Sequence, residues 1–374
     1  MSPLGIVRFV VACASLVVSL VIAAPAEAQN APPNRSGEEL FRAACAACHG
    51  PDGKGAPQSQ VGFEDPLPDF TDCSFSTPEV AADWFAIAHE GGPVRAFSRR
   101  MPAFGEALTE AELERTVDYV RSFCDDPAWP RGELNFPRAL VTEKAFPENE
   151  ALLTTSIQKG ASREFTNEFV YERRFGARNQ FEVAVPLAMQ SNEGSEWLRG
   201  LGDVAVAAKR VLFHSLDTGS ILSAGAEVVF PTGKEGSGLG GGVMKFEPFV
   251  SAGQMFRGSA FVQGQAGAEI PRDREKAETE AFWRGVVGNT FTQGEFGRSW
   301  TPMLEFAAAR ELENGKPVEW DVLPQLQVSL SKRQHILVSG GLRIPINERA
   351  ERHMQVLTYL LWDWFDGGLR DGWR

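Results

Sequence analysis

The chain has 374 residues, enough for about two domains. Its net charge of −12 disfavours a nucleic-acid role. Its 37 glycines recur along the second half, as in β-structure with tight turns rather than in a helical protein. Residues 1–28 read as a secretory signal: Arg8, an apolar run from Phe9 to Ala24, and small residues at Ala26 and Ala28 that predict cleavage before Gln29. An uncleaved anchor helix is the alternative, although the apolar run is short for a span. Residues 29–35, rich in Pro and Asn, predict a tether.

Cys45-Ala46-Ala47-Cys48-His49 follows. Two thiols at this spacing can add to the two vinyl groups of one haem, and the adjoining His can then ligate the iron. Glu38 and Glu39 in a first turn and Leu40, Phe41 and Ala44 on one stripe predict the helix this spacing needs. A zinc half-site or a redox dithiol is the alternative, but zinc calls for a second Cys/His pair. Cys73 and Cys124 remain as an even pair in an oxidising compartment. They form either a disulfide or two free buried thiols. Thr77 and Pro78 predict the start of a second helix, running to about His89 and ended by Gly91 and Gly92. Thr109-Glu110-Ala111-Glu112 is a capping box for a third, with Leu113, Val117 and Val120 on its apolar face. Between these helices, Met101 precedes Pro102 in a loop and suits a sixth iron ligand, a soft neutral thioether that raises the haem potential. Core packing for Met101 and ligation by His89 are the alternatives.

Residues 36–124 resemble a class I c-type cytochrome in Cys45-Ala-Ala-Cys-His49, Gly50 and Gly53, Met101-Pro102-Ala-Phe-Gly105, Leu108-Thr109 and Tyr119-Val-Arg. The resemblance implies an all-α domain over 29–126 carrying one covalent haem c. Cys45 and Cys48 would hold thioethers, His49 would be the proximal ligand and Met101 the distal one. Cys73 and Cys124 are additions to that pattern. Pro127, Pro130, Gly132, Pro137 and Pro147 then predict a semi-rigid linker over 127–150.

From 151 to 374 the period switches to two. Val318, Trp320, Val322, Pro324, Leu326, Val328 and Leu330 alternate with Glu319, Asp321, Leu323, Gln325, Gln327 and Ser329, and similar runs recur. About ten to twelve strands of roughly 9 to 14 residues, with short and long connections, predict an antiparallel barrel. A soluble β-sandwich gives the same alternation. Trp283, Trp300, Trp362 and Trp364 near strand ends favour a membrane barrel with an interfacial girdle, while Pro186, Pro248 and Pro324 imply bulges or breaks. Gly238–Gly242 lacks the strand–turn–helix context of a phosphate loop and reads as a flexible loop. His214, His335 and His353 read as isolated.

Gly200-Leu-Gly-Asp203-Val204 and Phe230-Pro231-Thr232-Gly233-Lys234 resemble outer-membrane barrels grouped with the phenol-degradation meta-pathway transporter family. From Trp362 the chain departs from that pattern, as an extension that folds back. The combined expectation is an electron carrier rather than a catalyst: one haem c anchored to an outer-membrane barrel, haem domain in the periplasm. Its partners would be a redox protein or small redox carrier, and outer-membrane lipid. A channel with the cytochrome as gate, plug or sensor is the second reading. A soluble periplasmic oxidoreductase with a β-sandwich substrate domain is the third.

Overall fold

The computed structural model describes residues 34–62, 67–159, 162–192, 196–350 and 352–364. The signal segment, most of the tether and the end of the C-terminal extension lie outside the described residues.

The helical part comprises α1 (Gly37–Ala44), α2 (Ala46–His49), α3 (Gln58–Val61), α4 (Cys73–Ser76), α5 (Ala81–Glu90) and α6 (Glu110–Arg121). Helix α1 packs on α6 through Phe41, whose ring centroid lies 5.5 Å from that of Tyr119 and 5.3 Å from that of Phe123. The helices cross at Gly37, where any Cβ would strike the Arg115 carbonyl. The capping box at α6 is formed as the sequence predicts, with Thr109 and Glu112 bonding each other's backbone. Thr109→Ala should therefore lower the melting temperature of the helical domain, at a cost of about 1 kcal/mol. Helix α5 begins at Ala81 rather than Thr77. Thr77 instead closes α4, its Oγ1 donating to the Cys73 carbonyl at 2.6 Å. The Ala81 N–H is satisfied from outside the helix by Glu133 Oε1 at 2.9 Å.

Twelve antiparallel strands form the second part: β1 (Glu150–Lys159), β2 (Ser162–Phe175), β3 (Asn179–Asn192), β4 (Val204–Ser215), β5 (Ser220–Phe230), β6 (Lys245–Met255), β7 (Ala260–Pro271), β8 (Glu280–Asn289), β9 (Ser299–Glu311), β10 (Glu319–Ser329), β11 (Ile336–Pro345) and β12 (Gln355–Asp363). Two short strands, Leu198–Leu201 and Phe291–Thr292, lie beside β3 and β9. Each long strand pairs with the next, and β1 pairs with β12 from Glu150↔Asp363 to Gln158↔Gln355, so the sheet closes. Trp362 and Asp363, expected to begin an extension, belong to this closing strand. Closure overturns the β-sandwich. So does the polarity of the wall: along β9, Thr301, Met303, Glu305 and Ala307 are buried inside, while Leu304 and Phe306 are exposed outside. Pro248 and Pro324 each interrupt the ladder to the following strand without shifting its register, because they bring no N–H to it.

Residues 176–178, 216–219 and 256–259 make turns of three or four residues at one end, where 290–298 and 330–335 also lie, whereas 231–244, 272–279, 312–318 and 346–354 connect strands at the other. The 231–244 loop is pinned rather than loose. Asp203 accepts the Gly233 N–H at 2.8 Å and the Gly241 N–H at 2.7 Å, and Thr232 bonds both Gly202 and Val204. The two motif fragments singled out in the sequence thus form one corner.

The stretch expected as a linker runs into the barrel. Residues 136–150 have no sheet partners until Glu150, so their backbone groups must find side chains, and the inward face supplies them. Thr142 N–H bonds Glu305 at 2.6 Å, Leu140 N–H bonds Gln325 at 3.1 Å, Glu143 N–H bonds Gln265 at 3.1 Å and Glu148 N–H bonds Gln180 at 2.7 Å. The carbonyls of Pro137, Arg138, Val141, Lys144 and Ala145 accept from Gln263, Tyr359, Arg284, Lys209 and Ser223. Arg138 pairs with Glu150 and Glu172. Phe136 lies in the space left by Gly253, and Leu140 in that left by Gly341. This strap therefore meets every one of the twelve strands. Leu134, Phe136, Ala139, Ala145 and Phe146 also share one apolar core with Val211, Ile221, Phe261, Val286 and Met303 of the wall.

The helical domain sits against the short-turn end. Arg95 Nη1 donates to the Phe296 carbonyl at 2.8 Å, His335 Nε2 lies 3.1 Å from Glu79 Oε1, and Arg333 lies 4.1 Å over the Phe97 ring. His335, read as isolated in the sequence, is one of these docking residues. A cavity of about 780 Å³ remains between the two parts, reached by Arg138 and Lys144 of the strap.

Candidate functional site

Cys45 continues the helical backbone from α1 into α2: its N–H bonds the Phe41 carbonyl at 2.8 Å, and its carbonyl accepts the His49 N–H at 2.9 Å. Cys45 and Cys48 are therefore one turn apart on one face, and both are free thiols. Cys73 and Cys124 are joined in a disulfide, with Cα atoms 5.4 Å apart. That choice removes the other two cysteines from any site. The bridge closes a loop spanning 51 positions, so Cys73→Ala/Cys124→Ala should destabilise the domain by about 4 kcal/mol in the chain-entropy model. Thermal unfolding would read this as a lower melting temperature.

His49 stacks on Phe70 with ring centroids 4.9 Å apart, and Phe70 meets Trp84 edge-on at 5.4 Å. Phe41, Phe70 and Val120, with Phe75, Trp84, Tyr119 and Phe123 beside them, make an apolar wall against which Cys45 packs. Burial pushes the His49 pKa down to about 4. Its imidazole is thus neutral at pH 7, the form that can offer a lone pair to a metal. Burial first, and the neighbouring Cys48 second, push the Cys45 thiol up to about 11. This is the opposite of a redox-active dithiol, whose attacking sulfur is poised as a thiolate. His49 Nδ1 and Trp84 Nε1 are buried with no partner among the described residues. Two free thiols on one helical turn, a neutral imidazole, an apolar wall and unspent ring N–H groups fit a flat, largely apolar group better than a zinc ion.

Met101 is half-buried in the loop between α5 and α6. Its carbonyl accepts the Gly92 N–H at 3.1 Å and its N–H reaches the Ser98 carbonyl at 3.2 Å. Gly91, with φ of +82°, lets α5 end against this loop; a Cβ there would strike the Met101 carbonyl. His89, the alternative ligand, stands in the last turn of α5 with its ring against Gly105 of the same loop. Its ring stacks beside Phe85 at 5.8 Å and Phe296 at 5.3 Å, and its Nδ1 faces Glu90 at 2.9 Å.

Residues 32–120 match the family model of the cbb3-type cytochrome c oxidase, subunit III. The N-terminal part is a cytochrome c domain, which implies haem c. No curated protein matches the chain. Among solved structures, the NanC porin is similar over 57% of this chain and 98% of its own, with 10% identity and a TM-score of 0.41. An outer membrane channel from Pseudomonas putida F1 is similar over 58% and 96%, with 10% identity and a TM-score of 0.42. The KdgM porin covers 57% and 99%, with 9% identity and a TM-score of 0.36. At these identities the barrel rests on its own strand pairing.

Proposed function

We propose that the protein is an electron-transfer protein of the outer membrane, with one haem c held by thioethers to Cys45 and Cys48 and ligated by His49 and Met101. The observation that carries this reading is the pair of free thiols beside a buried, neutral His49 in a domain that matches a cytochrome model. When bound, the haem supplies a one-electron couple and no group transfer. The chain's own residues do the rest. The aromatic wall excludes water, His49 presents a neutral nitrogen, and the Gly91–Met101 contact fixes the distal loop. An electron would pass between the iron and a redox protein or small redox carrier of the periplasm.

The membrane assignment is supported by the barrel's outer surface. Leu187 (57% exposed), Leu212 (52%) and Val250 (49%) face outward, and Glu172, Glu305 and Gln180 are buried inward. Exposed aromatics mark both ends: Phe175, Phe213, Phe256 and Trp300 near the short turns, and Trp283, Trp320, Phe230 and Phe246 near the long loops. Bacterial barrels keep short turns in the periplasm, and the haem domain sits at that end, which supports a periplasmic haem. An N-terminal signal for export belongs to the same proposal.

The test is fractionation of haem-stained protein with electrophoretic mobility before and after boiling. Outer-membrane, heat-modifiable, haem-positive material is expected; release with the soluble periplasm would sink the membrane assignment. Met101→His should lower the reduction potential while keeping a six-coordinate spectrum, because methionine raises the potential relative to a second imidazole. Spectroelectrochemistry reads this directly, and an unchanged potential would remove Met101 from the iron.

A further inference from the structure

A closed sheet of twelve strands lies between the eight-stranded barrels that side chains can fill and the sixteen-stranded ones that hold a channel. The strap runs through this lumen and has a partner on every strand. We propose that the haem domain is the handle of this plug: docked on the short turns it seats residues 136–150 in the lumen, and displaced from them it withdraws the strap and opens the barrel.

The geometry leaves almost no slack. Gly132 and Glu133 are fixed to the haem domain, through the Thr77 carbonyl at 2.7 Å and Arg121 at 2.6 Å. Phe136 is already inside the barrel, stacked on Phe261 with centroids 5.6 Å apart. The residues from Leu134 to Phe136, fully extended, reach about 7 Å. Any larger displacement of the domain must pull on the strap. The docking contacts join polar pairs with ring contacts, the Phe296 ring lying 6.3 Å from that of Phe85 and 5.3 Å from that of His89, and they border a cavity between the parts, whereas the strap's own bonds are buried. The strap is thus the element that resists and transmits the motion. The side chains that hold it belong to the barrel's inward face, so its withdrawal would leave a polar, water-accepting lumen.

The inference rests on the barrel reading above, but its test does not need a bilayer. Ser251 is buried and points inward between Ser223 and Gln265, both of which bond the strap. In full-length haem-loaded protein, Ser251→Cys should resist a polar maleimide. Adding Glu79→Lys and Phe296→Ala, which remove docking contacts, should speed labelling by roughly tenfold or more, local opening being rate-limiting. Inserting a ten-residue Gly/Ser segment after Leu134 in that variant should restore protection, because the flexible insert takes up the displacement. Phe296→Ala alone, in an exposed turn, serves where the double variant fails to keep its heat-modifiable barrel. Rapid labelling of the parent would overturn the plug. Labelling of the undocked variants at the parent rate, or no effect of the insert, would overturn the handle. Failure of the membrane assignment would appear separately, as protein extracted without detergent.

Discussion

Replacing Cys45 and Cys48 with alanine is expected to abolish haem staining after denaturing electrophoresis, with loss of reducible absorbance, and to leave the barrel's heat-modifiable mobility in place. The first half follows from chemistry. Staining that survives denaturation needs covalent attachment. Cys73 and Cys124 are spent on each other, so no thiol on the haem domain can substitute. The second half follows from the fold. The barrel closes through its own strands, and none of its ladder bonds involves the haem domain. The His49→Ala variant separates the roles: thioethers can still form, while the iron loses its proximal nitrogen and the spectrum changes. Staining retained in the double alanine variant would refute covalent attachment at these residues. A barrel that collapses with it would mean that haem loading is a folding step for the whole chain.

Arg138→Met is expected to lower the temperature of the heat-modifiable transition more than any single wall substitution. Arg138 Nη1 lies 2.7 Å from Glu150 and also bonds Glu172, and its Nη2 lies 3.3 Å from Glu143. The Glu150 and Glu172 side chains are 1% and 0% exposed. Taking away the guanidinium leaves these carboxylates buried with less compensating charge, a change that costs about 3–5 kcal/mol in buried pairs. Arg138→Lys should recover only part of it, since an ammonium cannot bridge several carboxylates with a planar fork. Arg138→Met combined with Glu172→Gln should be milder than Arg138→Met alone, because it takes away one of the three carboxylates that the guanidinium compensates. Equal transitions for the parent and Arg138→Met would show that the network carries no net stability.

The sequence determined whatever is local or periodic. The Cys45–His49 motif needs one helical turn. The Thr109 capping box writes the start of α6, and the two-residue alternation with its break lengths points to about ten to twelve strands, while the pairing of Cys73 with Cys124 and the choice of barrel over sandwich were left to the fold. It misplaced the start of α5, because the residue that satisfies Ala81 is Glu133, fifty-two positions away in the chain. Only the tertiary structure decided what the barrel's polar face is for. Alternation says that two faces differ but does not say what each one meets. Glu305, Gln325 and Gln265 read as a wetted wall until a prolines-and-aromatics segment, outwardly a linker, is threaded between them. The same holds for His335 and Glu79, 256 positions apart and 3.1 Å apart in space. The physical reason is shared: a strap without sheet partners must take its hydrogen bonds from side chains far along the chain, and closing the barrel is what brings those side chains round it.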